Sequence, residues 1–283
     1  MRRALALLIA STALLPATAV AAAPKPGATA AKPANPCLEP AQRMLLRCPD
    51  LTMTRPFGLR TDVFVRPGRV VLRAGNSVNS VGAGPAELFG VRSSRSLMKA
   101  RQRIYRRRGG RLGIATGARL FFKAIPGQGH YWKYLHAAQF DLYRLDSRGR
   151  RVKHVKRGPK VSYCLRDLKH TRPGKARSPR RRVYEACNRS ARTRKVRLGT
   201  SVGWSDVYPP TYDEQWIDVT GLRGCFAYVH TADPRNGVYE SNERNNSAAV
   251  TVRLPFRAGR QHCPASEAAP EPAKRRDEYG GGY

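Results

Sequence analysis

Four stretches of the chain gather residue types that can do chemistry. The first, His130-Tyr131-Trp132-Lys133-Tyr134-Leu135-His136, sets two imidazoles in an aromatic run ahead of Phe140 and Tyr143. The second, Lys160-Val161-Ser162-Tyr163-Cys164-Leu165-Arg166-Asp167, carries an amine beside an aromatic and a cysteine. The third joins Asp206-Val207-Tyr208 to Gln215-Trp216-Ile217-Asp218-Val219-Thr220. The fourth, Glu240-Ser241-Asn242-Glu243-Arg244-Asn245-Asn246, is dense in side-chain oxygens, and Asp50-Leu51 near the start adds more. Imidazole suits copper; carboxylate, amide and carbonyl oxygens suit hard cations such as calcium. The remaining histidines, His154, His170, His230 and His262, are scattered, and no Cys-x-x-Cys pair or Cys/His cluster has zinc spacing.

Strands must position these residues, because few windows hold an apolar period of 3.6 while alternation is common. Val63-Phe64-Val65, Arg69-Val70-Val71-Leu72, Phe140 to Tyr143, Val161 to Cys164 and Trp216 to Val219 read as strands. Phe226 to Val229 and Ala249 to Val252 read as an antiparallel pair, with Asp233-Pro234-Arg235-Asn236-Gly237 as a turn between them. One short helix is expected over Ser96–Arg106, from Leu97, Ala100 and Ile104 on one face. Six cysteines allow 15 pairings. Local geometry favours Cys37–Cys48, Cys164–Cys187 and Cys225–Cys263.

Charge narrows the partners. Of 283 residues, 53 are Lys or Arg and 19 are Asp or Glu, a net charge of +34. That excludes an acidic solvating protein and makes polyanions the default electrostatic partners. The charge is concentrated: Arg144 to Arg197 holds 21 Lys or Arg against three acids. Hydrophobic residues are 41% of the chain, too many for wholesale disorder. The basic start Met1-Arg2-Arg3, the apolar run to about Val20 and the small-x-small site at Ala21-Ala22-Ala23 have the layout of a secretory signal peptide. The expected organisation is a signal peptide over 1–23, an Ala/Pro-rich linker over 24–36, a domain over 37–256 and a disordered tail over 257–283. Export makes the chain extracellular, with no transmembrane segment after cleavage, and suits disulfides. It disfavours nucleic acid as a partner, as does the lack of any zinc-finger spacing or aromatic nucleic-acid signature.

The four stretches, in their order and spacing, resemble the catalytic domain of the lysyl oxidase family. The resemblance runs from about Cys48 to Phe256 and is most specific at Gln215 to Thr220 and at the Glu240 to Asn246 loop. It implies a mainly β fold, β-sandwich-like, with long loops and few short helices. It implies copper-dependent oxidation of a primary amine, often a peptidyl lysine, to an aldehyde. The electrophile for that reaction is a lysine tyrosylquinone, made from one lysine and one tyrosine. Lys160 falls at the cofactor lysine and Tyr208 at the cofactor tyrosine. Without the resemblance, Lys160 is one more surface lysine and Tyr208 a packed aromatic before Pro209-Pro210.

The copper ligands depart from the family pattern, which sets three histidines as His-x-His-x-His on one strand face. Aligned on Phe140 and Tyr143, His136 falls on the third ligand, while Tyr134 and Trp132 take the other two columns. His130 lies two residues ahead of the first column, so His136 and His130 are the expected copper ligands, with His154 the nearest recruit to Lys160. The residues of the opposite parity, Tyr131, Lys133 and Leu135, restore no triad, and a lysine at 133 repels a bound cation. In animal members of the family a calcium ion joins the domain start to the Glu-Ser loop. The corresponding residues here are Asp50, Leu51, Glu240, Asn242, Asn245 and Asn246, with Asn242 in place of an aspartate. Two functions follow: a secreted copper-dependent amine oxidase, or a non-catalytic basic module that binds anionic cell-surface polymers.

Overall fold

The computed structural model describes residues 32–259 and 262–263. The expected signal peptide, most of the linker and most of the tail lie outside the described residues. Strands dominate, in three groups of antiparallel strands, and the single α-helix among the described residues is the four-residue Pro40–Arg43. In the eight-stranded sheet, Ser162–Tyr163 is followed by Gly129–Leu135, Arg119–Ile125, Leu97–Arg106, Ala86–Arg92 and Lys195–Thr200. Leu46–Arg47 and Arg111–Ile114 also pair with Leu97–Arg106. A four-stranded sheet runs Arg151–Arg157, Ala138–Leu145, Gly224–Ala232, Ser247–Leu254. The third group is built around the long strand Val71–Ser80, which pairs with Trp204–Tyr208, Trp216–Asp218, Leu51–Met53 and Phe57–Asp62. One apolar core takes side chains from all three, including Leu72, Leu88, Trp132, Phe140, Tyr163, Tyr208 and Phe226.

The hairpin expected at 226–252 is present, with Phe226 opposite Val252 and Val229 opposite Ala249. Its turn is closed by Asp233, whose carboxylate accepts the N–H groups of Gly237 and Val238 at 2.9 and 2.7 Å. The three favoured disulfides form, with Cα–Cα separations of 5.7, 5.8 and 5.8 Å for Cys37–Cys48, Cys164–Cys187 and Cys225–Cys263. Among the described residues no helix is long and apolar enough to cross a membrane.

Two expectations are corrected. Ser96–Arg106 is not a helix; Leu97–Arg106 is a strand with Met98, Ala100, Gln102 and Ile104 buried in alternation. Gln102 hid the period of two, because a polar residue occupies a core position. It belongs there because its amide donates to the Tyr239 carbonyl and accepts the Tyr239 N–H, both at 2.8 Å. Val63-Phe64-Val65 is not a strand either, and Phe64 is 90% exposed. The preceding strand stops at Asp62, whose carboxylate accepts the N–H groups of Phe64 and Val65 at 2.8 and 3.2 Å and so takes backbone donors out of the ladder.

The end of the segment read as a linker is docked on the domain. The Asn35 amide donates to the Glu240 carbonyl at 3.1 Å and to the Glu243 carboxylate at 2.8 Å, and the Tyr239 hydroxyl donates to the Pro33 carbonyl. The tail is tethered at its start by the bond to Cys263.

Candidate functional site

Lys160 and Tyr208 come together. Lys160 sits between the strands Arg151–Arg157 and Ser162–Tyr163 and is 1% exposed. Its Nζ lies 5.3 Å from the centre of the Tyr208 ring, 5.2 Å from Tyr163 and 4.6 Å from Tyr212. It donates one hydrogen bond, to the Asp213 carbonyl at 2.8 Å. Tyr208 closes the strand Trp204–Tyr208, and period-two alternation puts Asp206 on its face. The Tyr208 ring stacks on Tyr163 with centroids 4.1 Å apart and planes 12° apart, and its hydroxyl accepts the Cys164 N–H at 3.2 Å. Asn76 and Gln215 donate to the Tyr163 hydroxyl and hold the stack.

The electrostatics are those of a buried, crowded site. Burial, then the neighbouring Lys133 charge, holds the Lys160 amine well below the usual lysine range. Burial, then the Asp206 charge, pushes the Tyr208 phenol up. Asp206 is fully buried beside Tyr208. Burial lifts it to about 7, against the opposing charge of Arg166 and lesser help from Tyr208, Lys133 and Lys160.

Lys133, marked in the sequence only as a charge that repels a cation, is part of the site. It lies mid-strand in Gly129–Leu135, is 1% exposed, and holds its Nζ 5.4 Å from the centre of the Tyr212 ring. That Nζ has no hydrogen-bond partner among the described residues, and burial, then Lys123, brings it down to about 8. Tyr131, of the same parity, couples electrostatically to Tyr212. The face of this strand turned to Lys160 and Tyr208 is therefore the face of Tyr131 and Lys133. Trp132 and Tyr134 point away: the Trp132 indole donates to the Ser190 carbonyl at 3.0 Å and the Tyr134 hydroxyl donates to Asp233.

The expected copper ligands, His130 and His136, lie at opposite ends of this strand. His130 is exposed and stacks on Phe122 at 5.4 Å, while His136 follows the other end of the strand with φ 65°. Six residues of extended chain span about 20 Å, and one ion cannot bridge that with bonds of about 2 Å. His154 is engaged by Asp141 at 2.8 Å. His230 is fully buried against Phe140, with ring centroids 3.8 Å apart, and burial lowers it to about 3. Among the described residues no three His, Cys, Asp or Glu side chains converge to hold a metal ion. The donor set beside Lys160 and Tyr208 is an amine and a phenol rather than three imidazoles, and it does not fit copper.

Of the expected calcium ligands, Asp50, Leu51, Glu240, Asn245 and Asn246 meet where the domain start joins the loop. Asn245 donates to Asp50 at 2.9 Å, Asn246 to Glu240 at 2.8 Å, and the Leu51 N–H also donates to Glu240. The Asn242 side-chain amide oxygen accepts the Arg244 N–H at 3.0 Å. Glu243, not on the expected set, adds a carboxylate, and its Oε2 and the Oδ1 atoms of Asn245 and Asn246 have no partner among the described residues.

Fold and site together define a disulfide-bonded, mainly β domain with a buried lysine packed on a tyrosine stack. The family model described as Lysyl oxidase matches residues 95–261. With more than half of its length covered, the chain belongs to the lysyl oxidase family. No curated protein matches it.

Proposed function

We propose that this chain is an exported member of the lysyl oxidase family that no longer runs the family's copper chemistry and binds anionic cell-surface polymers. The observation that carries the reading is the face presented to Lys160 and Tyr208. Where an imidazole array would have to converge, that face holds Tyr131 and the unpartnered Lys133 amine. Charge supports the second half of the reading. The edge strand Arg151–Arg157 exposes Arg151, Lys153, Lys156 and Arg157, and the whole chain carries +34. Three disulfides fit an oxidising, extracellular compartment.

A second reading has one specific observation in its favour. Lys160 and Tyr208 lie close enough to be the precursors of a lysine tyrosylquinone, and that reading makes the chain a copper-dependent oxidase of primary amines or peptidyl lysine. The two separate in one experiment. Mature protein folded with copper is digested and searched by mass spectrometry for a cross-link between the Lys160 and Tyr208 peptides. The proposal expects none, and no peroxide release from amines; a cross-link lost in Tyr208→Phe overturns it.

The loop cluster offers oxygen donors of the kind a hard cation takes, although no three of its carboxylates converge on one point among the described residues. The carboxylates of Asp50, Glu240 and Glu243 and the amide oxygens of Asn245 and Asn246 are of the required type. A calcium ion there would tie the domain start to the 240–246 loop, a structural role.

A further inference from the structure

A cleft of about 260 Å³ opens away from the Lys160 site, lined by Arg47, Pro85, Tyr105, Arg177, Pro179 and Tyr184 among others. Its walls are fixed from behind. Glu87, fully buried, accepts the Tyr105 hydroxyl at 2.9 Å, the Tyr184 hydroxyl at 2.6 Å and the Arg103 guanidinium at 3.1 Å. Both phenols are thus turned to Glu87, and the Arg197 guanidinium lies 5.1 Å from the centre of the Tyr184 ring. Asp167, also fully buried, accepts the N–H groups of Val183, Tyr184 and Ser201 at 2.9, 3.2 and 2.7 Å and the Ser201 hydroxyl at 2.7 Å. Gly84 is required at the floor, because a Cβ there would lie 2.1 Å from the Arg47 carbonyl oxygen.

Two of the lining residues, Arg47 and Arg177, are cationic. Arg47 donates from Nη2 to the Arg107 carbonyl at 3.1 Å, while its buried Nε has no partner among the described residues. Arg47 and Arg177 both line the cleft, and hydrogen bonds from a guanidinium to an anion are stronger than neutral ones. Arg177 stands exposed in the left-handed region at φ 67°, a conformation uncommon outside glycine. Two guanidinium groups match a carboxylate or phosphate, and tyrosine and proline walls match the C–H faces of a saturated ring. The volume is below the roughly 300–1,000 Å³ of sites for drug-sized ligands, which suits one ring.

We propose that this cleft binds a single anionic sugar unit, a pyranose bearing a carboxylate or a phosphate, with its charge on Arg47 and Arg177. The proposal rests on the reading that the chain binds anionic polymers and names the unit recognised.

The test uses the mature, oxidised chain and three probes, glucuronate, glucose 6-phosphate and glucose, followed by ligand-detected NMR. At least one of the two anions is expected to bind, with glucose at least tenfold weaker, and which anion binds separates a uronate polymer from a phosphorylated one. Arg47→Gln is expected to weaken the anion at least tenfold. Arg177→Gln, at an exposed position that leaves folding intact, is expected to weaken it several-fold, and Arg148→Gln in a distant turn to leave it unchanged. Equal binding of glucose, or an Arg177→Gln effect no larger than that of Arg148→Gln, overturns the assignment. Retention of the chain on a uronate or phosphate polymer is measured alongside. Polymer retention with no monomer binding removes the cleft and leaves the broader reading standing; failure of both removes both.

Discussion

Lys133 decides more than any other side chain. Its amine is buried without a hydrogen bond and is brought down to about 8 from an ordinary 10.5. The folded state therefore binds this proton less tightly than the unfolded chain does. Below pH 8 both states are protonated and the full cost of the buried charge is present; as pH rises from 8 to 10.5 the cost is relieved and stability increases. A shift of this size corresponds to about 3 kcal/mol. Lys133→Met should therefore raise stability at pH 7 by roughly 1–3 kcal/mol and flatten the rise between pH 8 and 10.5. Urea unfolding at pH 7 and pH 10 measures both; an unchanged pH slope would mean that the amine is hydrated or paired in solution. The order of motifs singled out Lys160 and Tyr208 as a candidate pair, but that they meet needed the fold. That Lys133 faces this site needed the fold too, because strand parity is relative. Alignment on Phe140 and Tyr143 put Trp132, Tyr134 and His136 in the ligand columns, with an aromatic face packed in the core as the other reading; Trp132 and Tyr134 are buried in the core, and Lys133 is the residue beside Tyr212.

Among the elements, the Arg-rich stretch between Asp167 and Ser201 is held by two devices. One is the Asp167 carboxylate with its four donors. Asp167→Asn turns an amide donor toward N–H groups and should cost about 2–4 kcal/mol, read as a lower urea midpoint. The other is the Cys164–Cys187 bond, which closes a loop with a sequence separation of 23. Replacing both cysteines with alanine should cost about 3 kcal/mol, and a melting curve that barely moves would show that Asp167 suffices. Most strands were readable from alternation, as Phe140 to Tyr143 and the 226–252 hairpin show. The strand Leu97–Arg106 was not, since Gln102 breaks the apolar pattern at a core position and its reason for being there, Tyr239, is 137 residues away. Position along the chain does not reveal that partner.

At the scale of the whole molecule, net charge governs approach and specific sites govern choice. If the chain binds polyanions through exposed lysines and arginines, retention on a uronate or phosphate polymer should fall at least tenfold between about 0.15 and 0.5 M salt, as the screening length drops from about 8 Å toward 4 Å. Binding insensitive to salt would remove the electrostatic account. Composition alone announced this charge. The grouping of Arg47 and Arg177 beside Tyr105 and Tyr184 needed the fold, which brings together positions more than a hundred residues apart.

The Cys225–Cys263 bond has a topological consequence. Cys225 lies near the start of the strand Gly224–Ala232, and the bond closes residues 225–263 into a covalent ring that contains nearly all of that strand and the whole of its neighbour Ser247–Leu254. The strand Ser247–Leu254 is an edge, the element most readily lent to a second copy in domain exchange. Tied back to its own partner, it cannot leave without threading the loop. Concentrated oxidised protein should therefore keep one hydrodynamic size, and selective reduction of this bond should open the route to intertwined dimers.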